Sequence, residues 1–426
     1  MIKIIKYDPS DMTEILNRSY SQSDVSNTVK EIIADVIQNG DKALFEYCEK
    51  FDGAKLSSLK VSEEEMKEAL DQVPDEFIRV LEKSAENIRK FHEKQLREGF
   101  KIEEEGIVIG QKVMPIENVG LYVPGGTAAY PSTVLMDSIP AKIAGVSRLV
   151  MVSPVKADGR IKPDIAAAAY VAGVDEIYKV GGAQAIAALA YGTESIPRVD
   201  KIVGPGNAFV AEAKRQVFGI VSIDMIAGPS EILIVADESS DARILAADML
   251  SQAEHDTLAT AVLITNSDSV AKETAKELER QLKTLPRQEI AQASIENNGK
   301  IIIVDNIEEG IDVANALAPE HFELSVDEPF KYLDRIKHAG SVFLGRNCPE
   351  ALGDYYAGPN HTLPTGGSAR FSNPLSVDDF VKKTQFTYYT KDALEDAYKD
   401  IAFFARREGL DAHARSVESR FEGEMS

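Results

Sequence analysis

Residues 119–152 read VGLYVPGGTAAYPSTVLMDSIPAKIAGVSRLVMV, and this stretch decides the fold. It starts with a short β-branched run, continues through a glycine-containing turn into a helix-compatible segment, and ends in the second run RLVMV. A strand, a helix and another strand in succession are typical of α/β proteins, in which the strands lie parallel. The stretch therefore predicts a parallel sheet with accompanying helices.

The same alternation of short strands and alanine-rich helices continues to GSVFLG at 340–345. The intervening strand-like runs are EIYKV, DKIVG, EILIVA, TAVLIT and KIIIVD. Together they predict an α/β fold with two parallel sheets and a border near IDMIAGPSE at 223–231. No clear repeat is evident in the sequence.

Both ends of the chain have a helical pattern. Apolar residues three and four positions apart predict helices within 27–53 and 62–98. After residue 380 the chain is charged, with helices predicted over 391–407 and 410–421. This tail is too small for a core of its own, so we expect it to pack on something else, such as a second subunit.

The net charge of the chain limits which classes of partner it can bind. Lys and Arg number 47 against 69 Asp and Glu, a formal net charge of −22. Such a surface repels phosphate backbones and anionic lipid, so nucleic acid and membranes are not expected partners. The longest apolar runs are strand-sized and the first residues do not form a secretion signal. We therefore expect a cytoplasmic protein.

The two cysteines, Cys48 and Cys348, lie far apart and form no C-x-x-C motif. This pattern predicts neither a disulfide framework nor a thiolate zinc site.

Glycine loops follow several predicted strands, at 122–133, 180–190 and 203–214. Backbone amides at such junctions suit anions, because glycine permits close approach and a helix N-terminus carries partial positive charge. None of the loops contains G-x-G-x-x-G, so the usual dinucleotide fingerprint is absent. Glycine is also common at these turns for steric reasons, and both interpretations stay open here.

Four of the six histidines stand in polar surroundings: His255, His321, His361 and His413. Imidazole is a common metal ligand and also transfers protons near neutral pH. Gln252 and His255 are three positions apart, hence on one helical face, and could bind a metal as a pair. Asp354, in a loop rich in glycine and tyrosine, is a further ligand or a capping residue.

Each of these residues also has an ordinary structural interpretation. His255 could cap a helix C-terminus, and Glu320 with His321 could belong to a helix-to-strand connection. His361 could lie in a tight turn, and His413 could be solvated on a charged helix. The residues alone do not decide between the alternatives. We interpret His92 and His338 as structural.

These pieces resemble, in order and spacing, the histidinol dehydrogenase family. The most specific stretch is IDMIAGPSEILIVADESSDARILAADMLSQAEH at 223–255. The similarity extends over about 115–385 and includes GLYVPGG, VGGAQAIAALAYG, KIVGPGNAFVAEAKRQV, APEHFEL and GDYYAGPNHTLPTGGSARFSNPLSVDDF.

The resemblance implies an α/β fold with two incomplete Rossmann-like parallel-sheet domains, which fits the missing fingerprint. The implied parts are a helical N-terminal region packing on the catalytic domain (1–117), a Rossmann-like domain on the cofactor side (118–230), a second one with the metal and acid/base residues (231–375), and a C-terminal helical arm that reaches the other subunit (376–426).

The resemblance also implies a zinc ion in each subunit of a homodimer. Its ligands would be Gln252, His255 and Asp354, with His413 from the other subunit. Glu320 and His321 match the family's acid/base pair, and Tyr122, Gln184 and Asn207 match positions that bind NAD. Ser230, His361 and Glu408 match positions that bind the substrate, and Glu408, like His413, would contribute to the site of the other subunit. The zinc ligands and His321 would also contact the substrate.

The implied reaction takes L-histidinol to L-histidine through the aldehyde, with two NAD+ reduced in succession. His321 would remove the hydroxyl proton, Glu320 would activate water for the second oxidation, and zinc would orient the substrate. Cys348 has no neighbouring base and is not expected to be a nucleophile. The rival hypotheses are a zinc hydrolase with Glu320 as base and a non-catalytic nucleotide-binding or assembly protein; neither would reduce NAD+.

Overall fold

The computed structural model describes residues 2–11, 15, 25–125 and 130–421. Its strands are β1 (Lys3–Lys6), β2 (Phe100–Glu104), β3 (Ile107–Pro115), β4 (Asn118–Tyr122), β5 (Arg148–Val152), β6 (Glu176–Tyr178), β7 (Lys201–Val203), β8 (Ser222–Ile223), β9 (Glu231–Ala236), β10 (Thr260–Thr265), β11 (Lys300–Ile303), β12 (His321–Ser325), β13 (Ser341–Leu344) and β14 (Val381–Tyr389).

Its α-helices are α1 (Ser26–Asn39), α2 (Asp41–Tyr47), α3 (Glu63–Leu70), α4 (Asp75–His92), α5 (Pro131–Ala144), α6 (Pro163–Ala172), α7 (Gly182–Tyr191), α8 (Ala208–Val217), α9 (Ala242–Ala253), α10 (Asp268–Leu282), α11 (Gln288–Asn297), α12 (Ile307–Leu317), α13 (Glu350–Tyr355), α14 (Lys391–Arg407) and α15 (Asp411–Glu418). The chain forms two compact units: residues 1–95 with 116–380, and residues 96–115 with 381–426.

The larger unit contains a first parallel sheet with strand order β6-β5-β4-β7-β8. Counted along the chain, this order is 3-2-1-4-5, the arrangement of a Rossmann fold that lacks its sixth strand. The order reverses between β4 and β7, so the loops after these two strands diverge and leave a crevice at their carboxyl ends. Ligands bind at such crevices in parallel sheets.

A second parallel sheet in the same unit has the order β1-β11-β10-β9-β12-β13. Strands β9 to β13 repeat the order 3-2-1-4-5, and β1 is added at the edge beside β11. The predicted α/β class with two incomplete Rossmann-like sheets is confirmed. This structural repeat was not detected in the sequence, because strand order depends on pairing and not on a shared residue pattern.

The N-terminal helices complete the core around the first sheet. In α4, Leu81, Ala85 and Ile88 recur on one helical face and pack in one cluster with Leu121 of β4. Val29 and Val36 of α1 and neighbouring apolar residues pack in a second cluster with Val150 and Val152 of β5. These helices therefore support the sheet whose carboxyl edge carries the glycine loops.

The smaller unit is an antiparallel sheet of order β14-β3-β2 with the helices α14 and α15. Strand β14 pairs with β3 from Val381 opposite Pro115 to Tyr389 opposite Ile107. Besides their helices, the predicted helical N-terminal region (1–117) and C-terminal helical arm (376–426) thus also contain strands: β1, β2 and β3 in the first and β14 in the second. Strand β2, FKIEE, is exposed at every position, so it has no buried apolar face that would predict a strand.

The four-part division at 117, 230 and 375 stays a prediction. Its middle border falls between β8 and β9, that is, between the two parallel sheets. Among the described residues, no helix is both long and apolar enough to cross a lipid bilayer.

Candidate active site

The candidate site is built around Glu320 and His321, where strand β12 begins. Both side chains are buried. The backbone N–H of Glu231, on neighbouring β9, donates to Glu320 Oε2 at 2.8 Å, and His321 Nδ1 lies 3.1 Å from the Glu231 carbonyl oxygen. Because a carbonyl only accepts, Nδ1 must carry a proton. In the neutral imidazole, Nε2 is then the basic nitrogen.

His321 Nε2 is buried and has no hydrogen-bond partner among the described residues. Asp354 Oδ1 is the nearby acceptor, at 3.7 Å, which is longer than a hydrogen bond. Buried polar atoms are nearly always paired, so an orphaned nitrogen indicates a position that a ligand completes. The basic nitrogen of this pair therefore points to where a reacting group would lie.

The electrostatics of the pair suit proton transfer. Burial raises the pKa of Glu320 to about 8. Burial lowers the pKa of His321, but the carboxylates of Glu320, Asp354 and Glu350 outweigh it and raise that pKa. Because Glu320 Oε2 lies 3.6 Å from His321 Nδ1, the two groups stabilise opposite charges on each other. Strongly shifted pKa values in a charged cluster are characteristic of acid/base sites.

Gln252 lies in the last turn of α9 and is buried. Its amide orientation follows from its partner, because the Glu350 carboxylate only accepts. The amide nitrogen donates to Glu350 Oε1 at 2.8 Å and to Oε2 at 3.0 Å. Ser251 Oγ also donates to Glu350 Oε2, at 2.8 Å. The amide oxygen of Gln252 is thereby turned away from Glu350 and is the atom that could bind a cation.

Asp354, in α13, lies between two imidazoles. Its Oδ1 is 3.7 Å from His321 Nε2 and 3.7 Å from His361 Nδ1. The ligand atoms of His321, Glu350 and Asp354 all lie within 4.8 Å of one another. Burial is the main cause that lowers the pKa of His255, on which the charges of Asp354 and His321 also act, so its imidazole is neutral and able to coordinate. This set of nitrogen and oxygen donors fits a divalent cation such as zinc.

The three predicted cofactor residues lie after strands of the first sheet. Tyr122 ends β4, and its hydroxyl accepts from the backbone N–H of Gly182 at 3.1 Å. Gln184 is buried in the first turn of α7. Asn207 caps α8, its Oδ1 accepting from the backbone N–H groups of Phe209 at 3.1 Å and Val210 at 3.2 Å. Residues 126–129 of the first glycine loop lie outside the described residues.

Residues 16–421 match the histidinol dehydrogenase family. The chain belongs to this family. It is 57% identical to a histidinol dehydrogenase of Bacillus cereus, over 96% of this chain and 95% of that one. It is 52% identical to the histidinol dehydrogenase of Listeria monocytogenes, over 97% and 98% of the two chains. The crystal structure of histidinol dehydrogenase from Elizabethkingia anophelis superposes with a TM-score of 0.95 at 40% identity, covering 100% of this chain and 99% of that chain.

The larger unit contains most of the site residues that were identified from the sequence. Ser230 directly precedes β9, and its carbonyl oxygen accepts from the backbone N–H of Thr260 at 3.0 Å. Glu408 and His413 belong to the smaller unit, where both are exposed. Burial raises the pKa of Cys348, so its thiol is not activated as a nucleophile.

Glu350 is a residue that the sequence did not reveal. It begins α13, and an acidic residue in the first turn of a helix has an ordinary explanation in the helix dipole. Its contacts with Ser251 and Gln252 come from another helix, α9. The available signal was an acidic residue four positions before Asp354, too weak to separate from a capping residue.

Proposed function

We propose that Glu320 and His321 are the acid/base pair with which this chain oxidises L-histidinol to L-histidine. The reaction passes through L-histidinaldehyde, reduces two NAD+ and ends histidine biosynthesis; membership of the histidinol dehydrogenase family supports it. The observation that carries the residue roles is the buried, orphaned Nε2 of His321 beside Glu320.

In the first oxidation, the carbinol carbon of histidinol loses a hydride to NAD+ and its hydroxyl loses a proton to His321 Nε2. His321 accepts that proton in its neutral form, in which Nδ1–H donates to the Glu231 carbonyl and Nε2 is unprotonated; the neighbouring carboxylates, which raise the pKa of His321, then stabilise the imidazolium that forms. The product is the aldehyde. Glu320 then takes a proton from water as the water adds to the aldehyde carbon, and His321 again removes a proton while the hydrate gives its hydride to a second NAD+. Two protons leave in this step, one to each residue, so the product is the carboxylate of L-histidine; His321 releases the proton of the first oxidation to solvent before it accepts the second.

For the zinc site we propose Gln252, His255 and Asp354 as ligands, with His413 of the partner subunit as the fourth. The fit rests on the buried amide of Gln252, on the half-buried nitrogen and oxygen donors of His255 and Asp354, and on the amide orientation that Glu350 imposes on Gln252. When bound, zinc supplies a fixed positive charge that holds the amine and imidazole of the substrate. In this proposal, Ser230 and His361 of the same subunit and Glu408 of the partner subunit complete the substrate contacts.

For NAD we propose contacts from Tyr122, Gln184 and Asn207. Their support is their position at the carboxyl edge of the first sheet, where parallel sheets bind ligands. The Tyr122 hydroxyl already joins two of the glycine loops through its bond with Gly182.

We also propose an intertwined homodimer, located in the cytoplasm as suits a biosynthetic enzyme. Its support is the apolar surface of the smaller unit, where Phe403, Phe404 and Leu410 are 68%, 66% and 43% exposed. Clustered exposed aromatics of this kind indicate a surface that binds protein. Glu408 and His413 lie on the same segment as these residues.

The deciding experiment measures NADH formed per histidinol consumed by the purified, zinc-loaded protein. We expect two NADH and one L-histidine. One NADH would contradict the four-electron reaction, and metal-dependent turnover without NADH would instead indicate a hydrolase. Protein stripped of metal by a chelator and then reloaded with zinc is the control for the metal requirement.

A further inference from the structure

Helix α5 lies against the segment that carries His361. Thr133 Oγ1 is 3.3 Å from His361 Nε2. The side-chain amide of Asn360 donates to the carbonyl oxygen of Met136 at 2.7 Å. Thr362 Oγ1 donates to Asp137 Oδ1 at 2.8 Å. Three consecutive residues, 360–362, are thus each bonded to this one helix.

The other oxygen of Asp137 faces the cofactor side. A Cβ placed on Gly204 would lie 3.2 Å from Asp137 Oδ2 and 2.2 Å from the carbonyl oxygen of Tyr122. Gly204 has a φ of +113°, and the approach of the Tyr122 backbone leaves no room for a side chain. Asp137 therefore lies where the ends of β4 and β7 meet, at the crevice of the first sheet.

Gly204 is fixed from its other side as well. Its backbone N–H donates to Asp224 Oδ2 at 2.8 Å, and Lys214 Nζ donates to its carbonyl oxygen at 3.0 Å. Lys214 and Asp224 also form a buried ion pair. Gly204 is thus held between Asp137 Oδ2, which lies beside it, and the Asp224 and Lys214 side chains, which bond to its backbone.

We propose that Asp137 is a positioning residue that holds the cofactor loop at 204–207 in register with His361. The proposal rests on the proposed function, in which Asn207 contacts NAD and His361 contacts histidinol. Through Gly204 on one side and Thr362 on the other, Asp137 sets the distance between hydride donor and acceptor. Misplacement of reacting groups by about 1 Å costs on the order of a hundredfold in rate.

A purely structural role accounts poorly for the chemistry of this residue. Asp137 is fully buried and its Oδ2 has no hydrogen-bond partner among the described residues, an arrangement that lowers stability. Burial and the nearby Asp224 raise the pKa of Asp137 to about 8, so its carboxyl is largely uncharged near neutral pH. An asparagine, with similar shape and an acceptor for Thr362, should therefore replace it well.

The test compares Asp137→Ala and Asp137→Asn with Ser138→Ala, a control at the next buried position of α5. Each zinc-loaded variant is measured for zinc content, for NADH affinity by direct titration, and for the deuterium isotope effect on turnover with histidinol deuterated at the carbinol carbon. For Asp137→Ala we expect unchanged zinc content, NADH affinity weakened several-fold, turnover reduced at least about tenfold, and an increased isotope effect. Asp137→Asn and Ser138→Ala should resemble the wild type.

If Asp137→Ala does not fold, Thr362→Val removes only the bond to Asp137 Oδ1 and should increase the isotope effect in the same way. An unchanged isotope effect and unchanged NADH affinity in a folded Asp137→Ala or Thr362→Val variant would overturn the proposal, since activity would then only follow the folded fraction. Failure of the wild-type protein to form NADH from histidinol would overturn the proposed function instead, which is a separate result.

Discussion

The imidazole of His321 is hydrogen-bonded at Nδ1, whereas its Nε2 has no partner among the described residues. Strand β9 supplies the backbone carbonyl that holds Nδ1, so the direction of Nε2 depends on the pairing of β12 with β9 and not on a flexible loop. A base that is oriented in this way loses little entropy when it meets the substrate hydroxyl. In the proposed function, the reactive nitrogen of His321 and the zinc ligands are thus different side chains of one cluster.

Replacement of His321 by alanine tests this separation. We expect zinc content to stay at the wild-type level, because the proposed ligands are other residues, and turnover to fall at least about a hundredfold from the loss of general base catalysis. Metal analysis and steady-state NADH formation are the measurements. His338→Ala, at a histidine outside the site, is the control, and loss of bound zinc in His321→Ala would contradict the assigned role.

Glu350 orients the amide of Gln252, a proposed zinc ligand, without being proposed as a ligand itself. In Glu350→Ala, the amide of Gln252 loses the acceptor that turns its oxygen away, so we expect zinc affinity to fall about 10–100-fold. Competition with a chelator of known affinity measures the change. Glu308→Ala, at a first-turn acid of α12, is the matched control. Equal zinc affinity in the two variants would show that the Glu350–Gln252 contact does not orient the ligand.

At the scale of elements, the sequence predicted the buried strands, because burial requires a run of apolar residues. The apolar runs RLVMV and EILIVA became β5 and β9, and β9 is buried at all six positions. Strands β1, β2 and β14 were not predicted because they lie mostly exposed, and their few apolar residues, as in KIIK and FKIEE, stand among charged or polar ones and do not form a long apolar run. Strand β14 owes its structure to pairing with β3, which lies far away in the chain and could not be inferred locally.

In the candidate site, too, only some residues could be recognised from the sequence. Histidines are scarce and polar pairs conspicuous, so His255 and His321 drew attention by type and place. Resemblance to a family then supplied the roles. Glu350 and Asp137 carry common acidic side chains inside helices, and only the contacts of Glu350 with Gln252 and of Asp137 with Thr362 distinguish them.

Strand β6 is tied to its surroundings by Glu176. Its carboxylate accepts from Tyr178 Oη at 2.7 Å, Lys60 Nζ at 3.0 Å and Arg148 Nε at 2.6 Å. Burial alone would raise the pKa of Glu176, but these three donors outweigh it and lower that pKa to about 2. Because the folded value lies below the ordinary value of 4.5, the carboxylate stabilises the fold above about pH 4.5, and this stabilisation is lost as the pH falls towards 2.

We therefore expect Glu176→Gln to lower the free energy of unfolding by about 1–3 kcal/mol at neutral pH. The difference from wild type should shrink as the pH falls below about 4.5, because the carboxylate of the unfolded wild-type chain is then protonated while the folded one, with its pKa of about 2, still is not. Urea unfolding at several pH values is the measurement, with the exposed Glu82→Gln as control. A difference that stays constant down to pH 3 would contradict the assigned ionic contribution.

At the scale of the larger unit, the two sheets use opposite edges. The first carries the proposed cofactor residues Tyr122 and Asn207 after the carboxyl ends of its strands. The second carries Glu320 and His321 at the amino end of β12. In the proposed function, two sheets of equal strand order thus contribute different chemistry, one binding the hydride acceptor and the other moving protons.

For the whole molecule, the proposed homodimer with its shared site predicts complementation between two defective variants. We expect His413→Asn and His255→Asn each to lose zinc and activity when alone. After subunit exchange, half of the dimers are mixed and each mixed dimer has one intact site, so about a quarter of wild-type zinc and turnover should return. Exchange is verified by mass measurement of differently tagged chains. No recovery after verified exchange would contradict a ligand from the partner subunit.

The pairing of β1 with β11 has a consequence for how the protein is made. Lys3 lies opposite Lys300, so the ribosome must produce nearly the entire intervening chain before this pair can form. At about 5–20 residues per second, the separation of about 300 residues leaves β1 waiting for about 15–60 s. Its two isoleucines are flanked by lysines, which discourage wrong pairing of an exposed edge during that interval. Strand β1 can therefore join the second sheet only late in synthesis, after β11 has been made.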